Sequence, residues 1–283
     1  MITGIDHLVV LCPEISAGVA AYQKLLGSFP AWQFDDPAGA SSALFRSGNS
    51  GLELLAPAAP GALRDRLNQL LAESGPGLQT LVFESDAIES DHRLCKRRGL
   101  APDEIVSGES IDRTTEKRRQ WRRFRLNDAV TGGIRMFVLQ HADKQSIPMV
   151  QASAGALAEV DHLVITTRHS DRALGLYGAR LGLELLLDRQ SKEQNARLLV
   201  FRAGASGIEV ASRTGPGDET PDRMWGITWK TRDIDAAHAR LIAEGLDVSN
   251  VREGARPGTR VCTIRDGTLG IPTLVVAGDN RPT

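Results

Sequence analysis

Two histidines and two glutamates recur in short apolar segments where their side chains could do chemistry. His7 lies in IDHLVVL and His162 in VDHLVIT, whereas Glu53 lies in GLELL and Glu209 in GIEVA. Successive side chains of an extended chain point to opposite faces, so each glutamate points away from its apolar neighbours. An imidazole beside a carboxylate can transfer protons or bind Zn, Ni, Co, Mn or Fe(II). The same pair can also simply hydrogen-bond to each other or to a buried water.

The two histidine segments belong to a longer internal repeat. At an offset of 155 residues, His7 aligns with His162, Tyr22 with Tyr177, and Gly27 with Gly182. The segment PEISAGVAAYQKLLG has apolar residues at helical spacing, which predicts an amphipathic helix that Gly27 caps. The alternation around the first histidine predicts one face with Ile5, His7, Val9 and Leu11 and another with Asp6, Leu8 and Val10.

A second internal match completes the organisation of the chain. The segments that begin at Leu78 and Met224 align at an offset of 146, and each is predicted to form a strand and then a helix. Together the repeats predict four β-α-β-β-β modules and an α+β fold. Module boundaries are expected where Pro, Gly, Ser and Ala collect, near 60–77, 143–158 and 215–222. The middle boundary predicts one domain over residues 1–145 and another over 156–283.

Composition narrows the class of protein. The chain has 283 residues, 41% of them hydrophobic and 24% charged, with a formal net charge of −1. This balance is typical of an ordinary globular protein and argues against nucleic-acid or membrane partners. The apolar run after Gly4 is too short to span a bilayer and ends at Pro13, so we expect a cytoplasmic protein. Three widely spaced cysteines predict neither disulfides nor a thiolate zinc site.

The motifs resemble those of the vicinal oxygen chelate superfamily, which includes glyoxalases, bleomycin resistance proteins and extradiol dioxygenases. The resemblance rests on DHLVV in the first strand, LELLAP in the last strand of the module, and GPGLQTLVFESDAIE at the start of the second module. It covers nearly the whole chain. It implies tandem glyoxalase-like domains, in which paired modules form curved, partly open mixed sheets with helices on the convex side.

The resemblance also implies a divalent metal held by the first and last strands of two paired modules. His7 and Glu53 match two ligand positions, and His162 and Glu209 match two more. The other expected positions carry Thr80, Phe137, Gly226 and Leu274 instead. Each half therefore keeps two of four ligands, so the sequence predicts either no cofactor or a divalent metal (Zn, Ni, Mn or Fe) in incomplete half-sites. Only a pairing of modules one and three would join all four ligands in one site.

An arginine-rich segment supplies candidate ligand-binding residues. In DRTTEKRRQWRRFRLN, an extended chain places Arg119, Trp121, Arg123 and Arg125 on one face. That face would suit a carboxylate, phosphate or acyl-CoA group, although a solvated cationic strand fits equally well. Gln79 could add an amide oxygen if the strand register were shifted by one residue. His141 is expected near a loop, without an evident partner.

These observations leave several functions open. The first is an enzyme that binds a small oxygen-rich or anionic metabolite and acts as a lyase or isomerase by abstracting a proton next to a carbonyl. His7, Glu53, His162 and Glu209 would then be its catalytic residues. The second is a binding protein of the antibiotic-sequestering kind, and the third is an extradiol-type dioxygenase. The expected partner is a small molecule, and the sequence leaves a homodimer open.

Overall fold

The structure is a computed structural model of the chain. It describes residues 2–46, 48–144, 147–148, 152–157, 159–191, 195–213 and 220–278. These residues form two eight-stranded mixed sheets with helices, which confirms the predicted α+β fold of tandem glyoxalase-like modules. No helix within the described ranges is long and apolar enough to cross a membrane.

The first sheet is built from modules one and two. Its strands are β1 (Ile2–Leu11), β2 (Trp32–Asp36), β3 (Ala40–Arg46), β4 (Gly51–Pro57), β5 (Gly77–Ser85), β6 (Val106–Ile111), β7 (Arg118–Arg125) and β8 (Arg135–His141). They are ordered β2-β3-β4-β1-β5-β8-β7-β6. β1 runs parallel to β4 and antiparallel to β5, so the first strands of the two modules meet at the centre. The helices are α1 (Ile15–Leu26), α2 (Ala62–Ser74) and α3 (Ile88–Arg97).

The second sheet repeats this plan with modules three and four. Its strands are β9 (Glu159–Thr167), β10 (Glu184–Ser191), β11 (Ala196–Ala203), β12 (Ser206–Arg213), β13 (Arg223–Lys230), β14 (Arg252–Glu253), β15 (Arg260–Ile264) and β16 (Thr273–Ala277). Their order is β10-β11-β12-β9-β13-β16-β15-β14. The helices are α4 (Ser170–Ala173), which continues as a π-helix over Leu174–Arg180, and α5 (Ile234–Ala243).

One continuous hydrophobic core joins the helix-covered faces of both sheets. Tyr22 of α1 and Tyr177 of the π-helix are both buried there, as their matching positions in the repeat require. Gly27 ends α1 in the left-handed conformation (φ 70°), and its N–H donates to Gln23, which confirms the predicted cap. The Arg240 guanidinium of α5 donates to the carbonyl of Leu25 at 2.7 Å and so links the two halves.

The opposite, concave face of each sheet forms a cup, and we call these faces the first cup and the second cup. The module boundary expected near residues 60–77 lies between β4 and β5, and the helix α2, which the sequence did not predict, occupies most of it. Leu67 of α2 packs with Leu11 and Ala40 at one end of the first cup. The domain limits at residues 145 and 156 stay a prediction, although β8 ends at His141 and β9 begins at Glu159.

Candidate functional site

The start of β1 brings two neighbouring polar side chains into the first cup. A register shift lies between Ile5 and His7 on β1, so strict alternation is lost there. Ile5 packs in the main core beside Leu8, whereas Asp6 hydrogen-bonds to His7. The predicted face with Ile5 beside His7 is therefore wrong, and the reason is the bulge.

Five titratable side chains form a chain of contacts across this cup. Asp6 Oδ1 lies 2.5 Å from His7 Nδ1, and Asp6 Oδ2 lies 2.8 Å from His141 Nε2. The other nitrogen of the His7 ring, Nε2, lies 3.3 Å from Glu53 Oε2. Glu53 Oε1 is in turn 3.8 Å from the Arg119 Nη2 atom. His141 is thus at the end of a strand with a definite partner, which corrects the expectation of a loop residue without one.

Arg119 is held in the first cup by aromatic and polar contacts. Its guanidinium carbon lies 5.3 Å from the ring centre of Trp32 and 5.0 Å from that of Trp121, within cation–π range. Its Nε atom donates to Ser110 Oγ at 2.9 Å. The Trp121 ring lies over Gly108, where any Cβ would come within 2.6 Å of the indole nitrogen. These contacts leave the Arg119 side chain only 9% exposed.

Burial and neighbouring charges shift the pKa values of the first-cup residues in opposite directions. Burial alone would lower the pKa of His7, but hydrogen bonds and charge interactions with Asp6 and Glu53 outweigh it and raise the pKa to about 9. Burial would raise the pKa of Glu53, whereas His7, Arg119 and Ser42 together lower it to about 2. The pKa of Asp6 is also held well below its ordinary range by the two histidines, despite burial. At neutral pH the cup therefore holds a protonated His7 between two carboxylates.

This arrangement does not fit the divalent metal that the family resemblance implies. His7 and Glu53 supply two donors, whereas a tightly held ion needs at least three protein ligands. Both His7 nitrogens already face carboxylates, and the Arg119 guanidinium approaches Glu53 from the other side. Phe137, at the position of a further expected ligand, lies under the Arg123 guanidinium. The charges of His7 and Arg119 thus balance those of Asp6 and Glu53.

The second cup positions its histidine in a similar way but with fewer ionic contacts. Asp161 Oδ2 lies 2.6 Å from His162 Nδ1 and orients the ring. His162 Nε2 faces the cup, 3.1 Å from the Thr228 hydroxyl and 3.9 Å from Glu209 Oε2. Thr228 stands directly opposite His162 in the β9–β13 pair. Arg256 contacts Asp161 at 3.2 Å and balances its charge.

A cavity of about 1410 Å³ opens in the second cup, with His162 and Glu209 on its wall. Most of the remaining wall is apolar and comes from seven strands of the second sheet, with residues such as Val164, Leu198 and Val261. The arginines that line it are Arg168, Arg189, Arg202, Arg223, Arg252 and Arg256. Glu209 is the one carboxylate among these lining residues of the described chain.

The second cup supplies two good metal donors but no more. Its histidine is oriented by an aspartate, as in many metal sites, and its carboxylate is near. The two other expected ligand positions, Gly226 and Leu274, line the cavity and have no donor side chain. Among the residues that the structure describes, no three His, Cys, Asp or Glu side chains are grouped to hold a metal. The donor set does not fit a tightly held ion, which needs at least three protein ligands.

The structure separates the other predicted ligand residues from the second cavity. Trp121 and Arg123 lie on β7 in the first cup, where they contact Arg119 and Phe137. Arg125 forms an ion pair with Asp128. Gln79 Nε2 donates to Ser74 Oγ at 3.3 Å.

Sequence reasoning missed several residues of both cups. Asp6 and Asp161 orient the two histidines, and their signal was the repeated Asp-His dipeptide. Thr228 was passed over because alignment of the modules points to Gly226, whereas the antiparallel register places Thr228 opposite His162. The cavity arginines Arg189 and Arg223 lie on different modules and have no common motif.

Comparison with protein families identifies the fold family. Residues 5–182 match the family described as glyoxalase-like domain, and residues 161–263 match the glyoxalase/bleomycin resistance protein/dioxygenase superfamily. The first match covers more than half of the chain. The chain belongs to the glyoxalase-like domain family. This confirms the resemblance to the vicinal oxygen chelate superfamily. No curated protein matches the chain.

Solved structures share this fold at low sequence identity. A triple mutant of 4-hydroxymandelate synthase from Streptomyces coelicolor is 12% identical, with a TM-score of 0.72 over 100% of this chain and 95% of that chain. The Mn(II)-bound glyoxalase from Novosphingobium aromaticivorans is 13% identical, with a TM-score of 0.63 over 98% and 82%. BphC, a halotolerant catechol dioxygenase, is 12% identical, with a TM-score of 0.63 over 98% and 87%. These likenesses show the fold alone.

Proposed function

We propose that this glyoxalase-like protein binds a small organic anion in the second cup and transfers a proton at the carbon next to a carbonyl of that ligand. The observation that carries the proposal is the cavity of about 1410 Å³ in which His162 and Glu209 face an apolar wall edged by six arginines. Its size exceeds that of a typical small-ligand pocket. The excess of arginine over carboxylate favours an anionic ligand.

The positions of the two central side chains, His162 and Glu209, support a proton transfer. Glu209 would take the proton as general base, which breaks the C–H bond and leaves the electron pair in an enolate. The negative charge then lies on the carbonyl oxygen, where an arginine of the cavity stabilises it. Return of the proton to the same or the opposite face completes the reaction without any net oxidation. General acid–base catalysis of this kind contributes about 10²–10⁴-fold.

Binding is tested first with a matched pair of probes. The fluorescent anion 8-anilinonaphthalene-1-sulfonate has an apolar body like that of N-phenyl-1-naphthylamine, which lacks the sulfonate. We expect the anion to bind at least about tenfold more tightly, because only it meets the arginines. Equal affinity of the two probes, or no binding of either, would contradict the proposed anion site.

Proton transfer is tested by deuterium exchange. The protein is incubated in D₂O with a panel of 2-oxo carboxylates, and the C3 proton signals are followed by NMR. We expect catalysed exchange with at least one member, and its loss in Glu209→Gln but not in Glu244→Gln, a substitution just after α5.

A non-catalytic binding protein is the second candidate function. The apolar wall and the 53% exposed Trp225 at the cavity favour it, because an apolar cleft can sequester a ligand without changing any bond. Tight binding of the anionic probe without exchange of any 2-oxo carboxylate would support this function over the enzyme.

A further inference from the structure

Two arginines stand at opposite ends of one row of residues across the second cup. Strand register places Arg189 of β10 opposite Leu198 of β11, and Leu198 opposite Ala211 of β12. Ala211 in turn pairs with Thr166 of β9, which pairs with Arg223 of β13. All five residues line the cavity. The row crosses four strand spacings, about 19 Å along the sheet, and the curvature of the cup brings its ends closer together.

The charges of these two arginines are available to a ligand. Arg202 and Arg256 also line the cavity, but they contact Glu184 at 2.9 Å and Asp161 at 3.2 Å. Arg168 and Arg252 line it as well but lie outside this row. Arg189 and Arg223 form no ion pair with any carboxylate of the described residues, and both are exposed. A guanidinium without a carboxylate partner binds a carboxylate or phosphate through paired hydrogen bonds.

The residues between the two arginines are small or apolar. Leu198, Ala211 and the methyl group of Thr166 separate the two charges and offer no anionic group of their own. A ligand that spans the row therefore meets a cation, an apolar floor and a second cation. The middle of such a ligand gains free energy from burial against this floor only if it is itself apolar.

From this row we infer that the ligand of the second cup is an elongated dianion, with one anionic group held by Arg189, the other by Arg223, and an apolar middle over Leu198 and Ala211. The inference rests on the proposed function and names the class of its ligand. It makes Arg189 and Arg223 residues that set specificity, one at each end of the ligand.

The test uses α,ω-dicarboxylates from about four to sixteen carbons, each compared with its monomethyl ester, which keeps the length and removes one charge. Affinities are measured by displacement of 8-anilinonaphthalene-1-sulfonate. At the best length we expect the dicarboxylate to bind at least about tenfold more tightly than its monoester, or about 1.4 kcal/mol. Arg189→Gln and Arg223→Gln should each bring this ratio close to one.

Control variants and outcomes separate this inference from the proposed function. Arg265→Gln removes an equal charge from a residue that pairs with Asp247, and it should leave the ratio unchanged. Thermal unfolding checks that the variants stay folded. If dicarboxylate and monoester bind equally at every length while the probe still binds, the dianion inference is wrong and the anion site remains. If the probe itself does not bind, the proposed function fails first.

Discussion

The two cups share one backbone plan but differ in the size of the side chains that fill them. In each cup the strand register defines one row of residues that passes through the glutamate, Glu53 in the first and Glu209 in the second. In the first cup this row reads Trp32, Leu44, Glu53, Val9 and Thr80. In the second cup the corresponding row reads Leu187, Val200, Glu209, Val164 and Gly226. Side-chain volume falls from Trp to Leu, from Leu to Val and from Thr to Gly, so the same sheet leaves room for a cavity.

The connection between modules enlarges this difference. In the first half α2 fits between β4 and β5, and Leu67 packs against Leu11 at the end of the cup. Residues 214–222 alone separate β12 from β13 in the second half, whereas residues 58–76 separate β4 from β5 in the first. Both halves of this duplicated fold thus have a His-Glu pair, but the pair lies in a packed ionic network in the first cup and on the wall of an open cavity in the second.

The largest expected difference between the cups is in the loss of unfolding free energy when the central carboxylate of each is removed. Glu53→Gln leaves His7 and Arg119 buried with less opposite charge, which typically costs about 3–5 kcal/mol of unfolding free energy. Glu209→Gln should cost about 1 kcal/mol or less, because Glu209 is more exposed and 3.9 Å from His162. Urea unfolding of both variants measures the difference. Equal losses would show that the cups do not differ as described.

The pH dependence of stability should come from the first cup. His7 binds its proton more tightly in the folded state, since its pKa rises from 6.5 to about 9. Its stabilising contribution is therefore complete below about pH 6.5 and is lost as the pH rises through about 9, a loss on the order of a few kcal/mol. Urea midpoints of wild type should fall over this range, and those of His7→Gln should fall much less. An unchanged slope in His7→Gln would assign the pH dependence to other groups.

A smaller effect, on ligand binding, is expected when a residue of the second cup is replaced by the residue at the matching position of the first cup. Ala211 occupies the position that Leu55 has in the first cup, two residues after the glutamate in each sheet. Ala211→Leu places a larger side chain on the cavity floor and should weaken binding of 8-anilinonaphthalene-1-sulfonate by about tenfold, or 1.4 kcal/mol. Fluorescence titration measures it. The control Ala211→Ser keeps the volume small and should bind the probe like wild type.

Added divalent metal is expected to have the smallest effect on the stability of the protein. Zn, Ni, Mn or Fe(II) should leave the unfolding midpoint of the wild type unchanged, and elemental analysis after dialysis should find less than one tightly bound transition metal per chain. Two protein ligands leave most of the coordination sphere to water. Stoichiometric metal that survives a chelator and is lost in His162→Ala and Glu209→Ala would contradict this.

Introducing the two expected metal ligands into each cup tests whether the cups differ in their capacity to bind a metal. Gly226→His with Leu274→Glu adds donors beside His162 and Glu209 in an open cup, so we expect it to bind Zn stoichiometrically. Thr80→His with Phe137→Glu makes the matching change in the first cup, where His7 and Glu53 already contact each other and Arg119. We expect this second double variant to bind Zn far more weakly. Equal binding would show that Arg119 does not oppose a metal.

Much of the fold was accessible from the repeats, because an apolar strand and an amphipathic helix have local signatures. The offset of 155 aligned His7 with His162, and the cap at Gly27 followed from its place after a helical pattern. The helix α2 was missed because its segment has a weak apolar pattern between Pro and Gly residues. The bulge at Ile5 was missed because strict alternation was assumed along β1.

The sequence by itself determined the family, the four modules and the identities of the two His-Glu pairs, since these depend on residues close together in the chain. Only the tertiary structure decided what each pair contacts. Arg119 reaches Glu53 from a strand more than sixty residues away. The register of five strands places Arg189 and Arg223 at opposite ends of one row across a cup. Contacts of this kind depend on sheet order, curvature and side-chain volume, which no local pattern records. For that reason two nearly identical motifs form a closed ionic network in one half and an open cavity in the other.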